Sequence, residues 1–229
     1  MAKTIVLLSG GLDSSTLLAL CKSMGDEVES VSINYGQRHK VELDSAKALA
    51  AHYEVPHDIV DLREITKFLG GSALTDEVDV PDGHYAEETM RITVVPNRNA
   101  IMLSVAAGIA VARGAQHVAT AVHAGDHFIY PDCRPEFVEA MNATMQLGTA
   151  GFGDVTLFAP FLNQTKADIA ALANTLGLPI DKTWSCYKGG EIHCGACGTC
   201  FERREAMELA GVTDPTIYAS TPHYDDPNL

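Results

Sequence analysis

Apolar and polar positions along the chain follow two alternating patterns. Short apolar runs, with the continuous or two-residue pattern of buried strands, are separated by stretches whose apolar positions recur at helical spacing. The predicted strands cover residues 2–8, 27–34, 58–62, 116–122 and 155–159, and the predicted helices cover residues 14–24, 40–53, 99–113, 135–147, 166–176 and 201–209. Strands that alternate with helices in this way predict an α/β fold, in which helices cover both faces of a doubly wound parallel sheet.

Two stretches depart from this alternation. Residues 70–91 are rich in acidic residues, Gly and Pro and lack apolar periodicity, so we expect a surface excursion or a mobile lid. From Trp184 onward the chain is rich in Cys and Gly and carries one predicted helix. We therefore predict an α/β domain over residues 1–183, with the insert at 70–91, and a small metal-binding tail over 184–229 that packs on the same domain.

Charge and hydropathy narrow the class of protein. The net charge is −14, from 30 acidic and 16 basic residues, so a broad basic face for nucleic acid is not expected. The sequence contains no continuous apolar run of about 18 residues, so it predicts no membrane span. The apolar run before Ser9 is too short for a signal peptide, which favours a cytoplasmic protein. In a reducing cytoplasm, cysteines favour metal binding over disulfide formation.

The sequence SGGLDSS joins the first predicted strand to the first predicted helix. Gly10 and Gly11 allow backbone N–H groups to approach phosphate oxygens and tolerate a positive φ. The serines offer hydroxyl donors, and the start of a helix adds a partial positive charge. Asp13 either holds the shape of the loop or faces a Mg²⁺ ion carried by a nucleotide. The spacing excludes the G-x-x-x-x-G-K-[ST] and G-x-G-x-x-G loops, and the alternative to a phosphate site is a glycine turn with a serine N-cap.

Four cysteines within CYKGGEIHCGACGTC form a second candidate site. Cys186, Cys194, Cys197 and Cys200 include two overlapping C-x-x-C steps, and the glycines between them allow the chain to wrap a small ion. Four thiolates suit tetrahedral Zn²⁺ and leave no open coordination position, so the site is expected to be structural. The alternatives are iron–sulfur ligation, free thiols, and competition from His193 as a ligand.

Polar loops follow several predicted strands or open predicted helices, which is where a doubly wound sheet binds its ligands. These loops are NYGQRH, VPNRN, HAGDH, YPDCR and QTK. Together they would place Arg38, Arg98, Arg134 and Lys166 around one crevice of an otherwise acidic protein, which favours an anionic ligand. The two histidines of HAGDH have the spacing of helical zinc ligands, but the glycine between them indicates a loop, and we interpret both as polar residues of the crevice.

The motif S-G-G-x-D-S resembles the pyrophosphate-binding loop of the N-type ATP pyrophosphatases. This family has an adenine nucleotide α-hydrolase-like, Rossmann-like fold and cleaves ATP to AMP and pyrophosphate, which implies that an acceptor oxygen is adenylated. Over the whole chain, SGGLDSS, YGQRH, VPNRN, YPDCRPEF, TKADI and CYKGGEIHCGACGTC occur in an order similar to that of the queuosine branch of this family. Residues 70–91 are not matched.

The resemblance implies a reaction and a set of ligands. Enzymes of this branch adenylate 7-carboxy-7-deazaguanine with ATP, form an amide with ammonia, and use a second ATP to convert the amide to a nitrile. Mg²⁺ accompanies each ATP, one structural Zn²⁺ is held by the four cysteines, and the chain is expected to form a homodimer. The expected partners are therefore small molecules and a second copy of the chain, with no nucleic acid and no membrane.

The resemblance also implies roles for particular residues. The residues expected to hold the ATP phosphates are Leu8, Ser9, Gly10, Gly11, Leu12, Asp13, Ser14, Ser15 and Thr16. Asp13, Arg98 and Lys166 are the expected catalytic residues, because the two cations would neutralise charge on the leaving pyrophosphate. The candidates for binding the deazaguanine are Tyr35, Gln37, Arg38, Asp132 and Arg134. Among these, Asp132 is the acid expected to read the guanidine-like edge of the base.

Two other classes of protein stay open at this point. A tRNA-thiolating enzyme of the same superfamily would need a basic face and a reactive cysteine outside the metal site. The net charge of −14 argues against the basic face, and Cys133 is a weak candidate for the reactive cysteine. A non-catalytic nucleotide sensor would need only a degenerate loop, whereas SGGLDSS is intact at every fixed position.

Overall fold

The computed structural model describes residues 2–37, 40–69, 72–75, 79–83 and 88–222. The strands in this part of the chain are β1 (Lys3–Leu7), β2 (Glu27–Asn34), β3 (His57–Asp61), β4 (His117–Ala119) and β5 (Thr156–Phe158). They form one parallel sheet in the order β3-β2-β1-β4-β5. From the central β1 the chain builds outward to β3 and then crosses to β4 on the other side. The predicted doubly wound parallel sheet is therefore confirmed.

Helices cover both faces of this sheet. They are α1 (Leu12–Ser23), α2 (Val41–His52), α3 (Arg63–Thr66), α4 (Arg98–Arg113), α5 (Pro135–Thr149), α6 (Lys166–Thr175) and α7 (Gly198–Leu209). Because side chains alternate along a strand, Ile5 packs with α4 and α5 while Val6 packs with α1, α2 and α6. Both side chains are fully buried, so the central strand joins the two halves of the core.

Most element boundaries lie close to those predicted, and β4 and α7 are the main exceptions. β4 ends at Ala119 instead of residue 122, because the next residues line a cavity and no longer pair with β1. α7 begins at Gly198 instead of residue 201, because the N–H groups of Cys200 and Phe201 already donate to the carbonyl of Cys197. Thr165 is the N-cap of α6, and it forms a reciprocal capping box with Asp168.

In the described part of residues 70–91, Ser72, Ala73 and Leu74 are buried, so the expectation of a surface excursion is wrong for these residues, whereas Asp79 and Asp82 are exposed. Ala73 and Val80 are buried, and they pack around the cysteines of the C-terminal segment. The backbone N–H of Gly83 donates to the carbonyl of Ala196 at 3.1 Å. Small apolar side chains explain this burial, since they fill the space beside the thiol groups. Residues 88–91 begin a short 3₁₀ helix, Glu88–Thr93, in which Met90 is buried, and the other residues of the predicted insert lie outside the described residues.

The C-terminal segment packs directly on the α/β core. The N–H of Trp184 donates to the carbonyl of Gly10 at 2.8 Å, which joins the start of the segment to the glycine–serine loop. Ala206 and Met207 of α7 pack against Ala170 and Ala173 of α6. The division of the chain at residues 183 and 184 stays a prediction.

One segment of the described chain, Met90–Arg113, is long and apolar enough to cross a membrane by length and composition alone. Its helical part is α4, in which Leu103, Ala106 and Ala110 are buried against the sheet. A core helix passes the same test of length and composition, and the burial of one face of α4 is typical of such a helix.

Candidate active site

The glycine–serine loop makes a tight turn between β1 and α1. Gly10 has a φ of +83°, and a Cβ atom there would lie 2.3 Å from the carbonyl oxygen of Glu42 and 2.7 Å from the N of Ala46. Only glycine fits this position, because both contacts are backbone atoms. Gly11 has a φ of −74° and is the N-cap of α1. The N-cap is therefore a glycine and not a serine.

Hydrogen bonds within the loop set its serine hydroxyls in place. The N–H of Ser9 donates to Oγ of Ser14 at 3.1 Å, and the two hydroxyls lie 3.0 Å apart. Both serines line a cavity at the carboxyl end of β1. Ser15 and Thr16 are fully buried, and their hydroxyls donate back to helix carbonyls. Of the residues expected to bind phosphates, Leu8, Ser9, Asp13 and Ser14 line the cavity.

A buried group of charges forms one end of this cavity. Nζ of Lys166 lies 3.1 Å from Oδ2 of Asp13 and 2.7 Å from Oε2 of Glu202. Behind it, Nε2 of His123 lies 3.7 Å from Oδ2 of Asp13 and 3.6 Å from Oδ2 of Asp126. Three carboxylates thus surround one lysine and one histidine. An arrangement with excess negative charge at this end can accept a cation as well as position Lys166.

These contacts determine which groups carry charge. Burial acts to raise the pKa of Asp13, but Lys166 and His123 outweigh it, and the pKa of Asp13 lies below its ordinary value. Burial acts to lower the pKa of Lys166, but Asp13 and Glu202 outweigh it and raise that pKa well above its ordinary value. Lys166 is therefore an ammonium ion at neutral pH, although its side chain is only 14% exposed. Such a buried cation suits a polyphosphate ligand.

Aromatic and charged side chains form the other end of the cavity. The guanidinium carbon of Arg98 lies 5.5 Å from the centre of the Tyr35 ring, within the range of a cation–π contact. Nε of Arg98 is buried and has no hydrogen-bond partner in the part of the chain that the structure describes. Tyr130 and Tyr187 complete this end of the lining. A buried donor aimed at a ligand cavity can bind an anionic oxygen.

Glu42 lies beside this arginine and lines the same cavity. Its Oε1 accepts a hydrogen bond from Nε2 of Gln37 at 2.8 Å. Burial raises the pKa of Glu42 to about 7, although Arg98 and the hydrogen bond from Gln37 act in the opposite direction. At neutral pH this carboxyl group is therefore divided between its neutral and charged forms.

The structure brings together some of the predicted site residues and separates others. Asp13, Arg98, Lys166 and Tyr35 line one cavity. The other candidates, Gln37, Asp132 and Arg134, are not part of its described lining, and Arg38 lies outside the described residues.

The three candidates away from the lining have other contacts. Gln37 donates to Glu42 and accepts from the N–H of Tyr35 at 3.0 Å, so it supports the loop after β2. Oδ2 of Asp132 accepts from the N–H of Asn99 at 2.8 Å, in the first turn of α4. Arg134 is exposed, and its Nε donates to the carbonyl of His127. The contact of Asp132 joins residues 33 positions apart, so the sequence pattern does not show it, whereas the contacts of Gln37 are local.

Three acidic residues of the cavity lining were not predicted from the sequence: Glu42, Asp126 and Glu202. Asp126 lies within the HAGDH loop. Because this loop follows a predicted strand, the sequence could have identified Asp126 as a residue of the site. Glu202 follows the four cysteines on an amphipathic helix, and Glu42 lies in the first turn of α2. At both of these positions the sequence alone would indicate an acid exposed to solvent. Only the packing of the folded chain shows that the two side chains line the cavity.

The four cysteines form a compact group at the start of α7. Their Sγ atoms all lie within 4.8 Å of one another. This donor set and spacing fit a tetrahedral metal ion, as predicted for Cys186, Cys194, Cys197 and Cys200. His193 is not part of the group. Its Nε2 accepts from the N–H of Ser185 at 3.1 Å, and burial lowers its pKa to about 4, so its ring is neutral.

Comparison with known proteins places the fold in a class. The folded chain is similar to NMN synthetase from Francisella tularensis, with a TM-score of 0.51 and 16% sequence identity over 93% of this chain and 78% of that protein. At this identity the likeness concerns the fold alone. A five-stranded parallel sheet with helices on both faces and this neighbour define an α/β protein with an adenine nucleotide α-hydrolase-like fold.

The family is established by sequence. The family model described as queuosine biosynthesis protein QueC matches residues 3–211, and the chain belongs to this family. A protein named 7-cyano-7-deazaguanine synthase from Rhizobium meliloti (strain 1021) is 59% identical over 227 residues, which are 99% of this chain and 94% of that protein. A protein of the same name from Ruegeria pomeroyi is 57% identical, over 95% of this chain and 94% of that protein. The predicted membership of the queuosine branch is therefore confirmed, and its members are enzymes.

Proposed function

We propose that this protein converts 7-carboxy-7-deazaguanine and ammonia to 7-cyano-7-deazaguanine, with two molecules of ATP cleaved to AMP and pyrophosphate. The observation that carries the proposal is a single cavity lined by the glycine–serine loop, by Lys166 and by Arg98. The names of the two relatives support the choice of product. The sequence motifs support the choice of ATP.

The loop would hold the phosphates of ATP. The start of α1 supplies N–H groups and a partial positive charge, and the hydroxyls of Ser9 and Ser14 face the cavity. A carboxylate oxygen of the substrate then attacks the α-phosphorus, and the bond to the departing pyrophosphate breaks. Lys166 and Arg98 would stabilise the charge that develops on this leaving group. Asp13 would hold Lys166 in place and, when Mg²⁺ is bound with the nucleotide, contribute a carboxylate oxygen to it.

The remaining steps need no nucleophile from the protein. Ammonia attacks the carbonyl carbon of the acyl adenylate, AMP leaves, and loss of a proton gives the amide. A second ATP adenylates the amide oxygen with release of pyrophosphate, and loss of AMP and of both N–H protons of the amide leaves the nitrile. Between these steps the protein must hold the intermediate away from water, and the aromatic side chains of the cavity lining, Tyr35, Tyr130 and Tyr187, favour this.

The base-recognition residues remain part of the proposal. Tyr35 lines the cavity, and Glu42 is an acid that faces the same space, next to Arg98. Asp132 and Arg134 do not belong to the described lining of the cavity, so they would bind the base only if it extends beyond that lining. Gln37 and Arg38 complete the predicted set.

The proposal includes one structural Zn²⁺ held by the four cysteines, since this set of four sulfur donors suits that ion. When bound, the zinc ion stabilises the fold of the C-terminal segment. The proposal also includes a homodimer in the cytoplasm, which the family resemblance implies. Metal analysis of the purified protein and sedimentation in solution test these two statements separately.

The reaction can be tested directly. Purified protein is incubated with ATP, Mg²⁺, ammonium and 7-carboxy-7-deazaguanine, and the products are identified by mass spectrometry. We expect the nitrile, with two AMP and two pyrophosphate formed for each one. Formation of ADP and phosphate, or a requirement for tRNA and a sulfur donor, would refute the proposal. Nucleotide binding without any release of pyrophosphate would favour a nucleotide sensor instead.

A further inference from the structure

Helix α7 connects the cysteine cluster to the active-site cavity. Its N-cap is Cys197, and Cys200 lies in its first turn. Two residues later, Glu202 points into the cavity. The four-cysteine segment therefore supplies part of the cavity lining as well as a metal site.

The orientation of this helix is set by the residue that follows. Arg203 is completely buried, and its guanidinium donates to Oγ1 of Thr183 at 2.7 Å, to Oγ of Ser185 at 3.1 Å and to the carbonyl of Ile180 at 3.2 Å. These bonds fix the rotation of α7 about its axis, because a guanidinium group has a rigid planar arrangement of donors. With the rotation fixed, Glu202 is directed toward α6.

Glu202 reaches the lysine at the start of that helix. Oε2 of Glu202 lies 2.7 Å from Nζ of Lys166, and the two side chains are only 10% and 14% exposed. The same Nζ lies 3.1 Å from Oδ2 of Asp13. A lysine side chain has four rotatable bonds, and it is held here by carboxylates from two different helices. A polyphosphate bound beside the loop would compete with Asp13 for the ammonium of Lys166. Glu202 contacts the same ammonium from α7, so its contact would remain.

We propose that Glu202 is a positioning residue for the reaction, which holds the ammonium of Lys166 where pyrophosphate departs. This inference rests on the proposed function. Glu202 acts through Lys166 and does not itself touch the reacting atoms. The C-terminal cysteine segment then contributes to catalysis through α7, in addition to any contribution to stability.

Glu202→Gln tests this inference, because it keeps the size of the side chain and one acceptor oxygen but removes the charge. Glu208→Gln is the matched control, since Glu208 is exposed on the last turn of the same helix. We expect the kcat for pyrophosphate release to fall about ten- to a hundredfold in Glu202→Gln, because small displacements of a catalytic group have effects of this size. The KM for 7-carboxy-7-deazaguanine, the metal content and the melting temperature should stay as in the wild type.

A double-mutant cycle with Lys166→Met separates positioning from a structural role. If Glu202 acts through Lys166, Glu202→Gln should cause no further loss of kcat in the Lys166→Met background. An equal loss in both backgrounds, or a wild-type kcat in Glu202→Gln, would overturn the inference. If Glu202→Gln does not fold, Glu202→Asp is the alternative test. It keeps the carboxylate charge but moves it away from Lys166 by the length of one methylene group. A reduced kcat in that variant supports positioning, and an unchanged kcat refutes it.

Failure of the proposed function would be visible in a different measurement. The wild-type protein would then release no pyrophosphate with 7-carboxy-7-deazaguanine, before any variant is compared. With wild-type turnover present, the variants test Glu202 alone.

Discussion

The ammonium of Lys166 lies 3.1 Å from the carboxylate of Asp13, and this contact joins the first helix of the sheet to the sixth. Asp13 follows the two glycines of the loop, whereas Lys166 opens a helix near the end of the α/β domain. Parallel strands bring their carboxyl ends to one edge, so residues that follow different strands can meet there. The ion pair therefore joins the SGGLDSS loop and the QTK loop, which are distant in the sequence, in one site.

Removal of the Asp13 charge should abolish adenylation without loss of the fold. In Asp13→Asn the ammonium of Lys166 loses one of its two carboxylate partners, and the loop loses its acid. We expect AMP formation to fall by about a hundredfold or more, the size of effect seen when a preorganised electrostatic group is removed. Metal content should not change. The control is Asp154→Asn, since Asp154 is exposed in the loop before β5. Wild-type AMP formation by Asp13→Asn would show that the carboxylate has no role in the reaction.

Two glycine substitutions should have opposite effects on stability. Gly10→Ala places a methyl group 2.3 Å from the carbonyl oxygen of Glu42 at a φ of +83°, so we expect a loss of about 2 kcal/mol or more. Gly108→Ala adds a methyl group in the interior of α4 with no atom within 4 Å, so we expect a gain of about 0.5–1 kcal/mol. Urea unfolding monitored by circular dichroism measures both. A Gly10→Ala variant as stable as the wild type would contradict the tight approach of α2 to the loop.

Loss of one clustered cysteine should release the metal. In Cys197→Ser we expect less than one metal ion per chain and a free energy of unfolding lower by about 3 kcal/mol or more, because metal binding stabilises the folded state. Cys133→Ser is the control, since that thiol lies outside the cluster and accepts a hydrogen bond from Asn99. Elemental analysis of both proteins decides the outcome. Iron in place of zinc in the wild type would identify an iron–sulfur site, and retention of metal by Cys197→Ser would exclude Cys197 as a ligand.

Glu42 should make stability depend on pH. Its pKa is 4.5 when unfolded and about 7 when folded, so between these values the folded state keeps a proton that the unfolded state has released. The contribution of Glu42 to stability is therefore full below about pH 4.5 and is lost as the pH rises to about 7, with a total change of about 3 kcal/mol. Glu42→Gln cannot ionise and should remove this part of the pH dependence.

The measurement is the difference in unfolding free energy between Glu42→Gln and the wild type at pH 5 and pH 8. The difference should favour the variant more strongly at pH 8. Equal differences at the two pH values would show that Glu42 titrates normally in the folded protein.

The elements that were predicted well have strong local signals. β2 has the predicted bounds, 27–34, because its apolar residues are interspersed with polar ones in the pattern of a strand, between polar ends. The cap at Thr165 was predictable because its partner is only three residues away. By contrast, the role of Asp132 was not predictable. Its carboxylate accepts a hydrogen bond from the first turn of α4, and the two residues are far apart in the sequence. The same holds for residues 72–75, whose burial depends on the cysteine segment.

The sequence by itself determined the alternation of strands and helices, the glycine–serine loop after β1, and the four sulfur donors near the end of the chain. Each of these is encoded within a few residues, by side-chain period, backbone freedom or ligand spacing. Only the tertiary structure decided that Glu42 faces Arg98, that Glu202 contacts Lys166, and that Asp132 accepts a hydrogen bond from the first turn of α4. These relationships join residues far apart in the sequence, and their energies arise from burial and charge proximity, which no local pattern records.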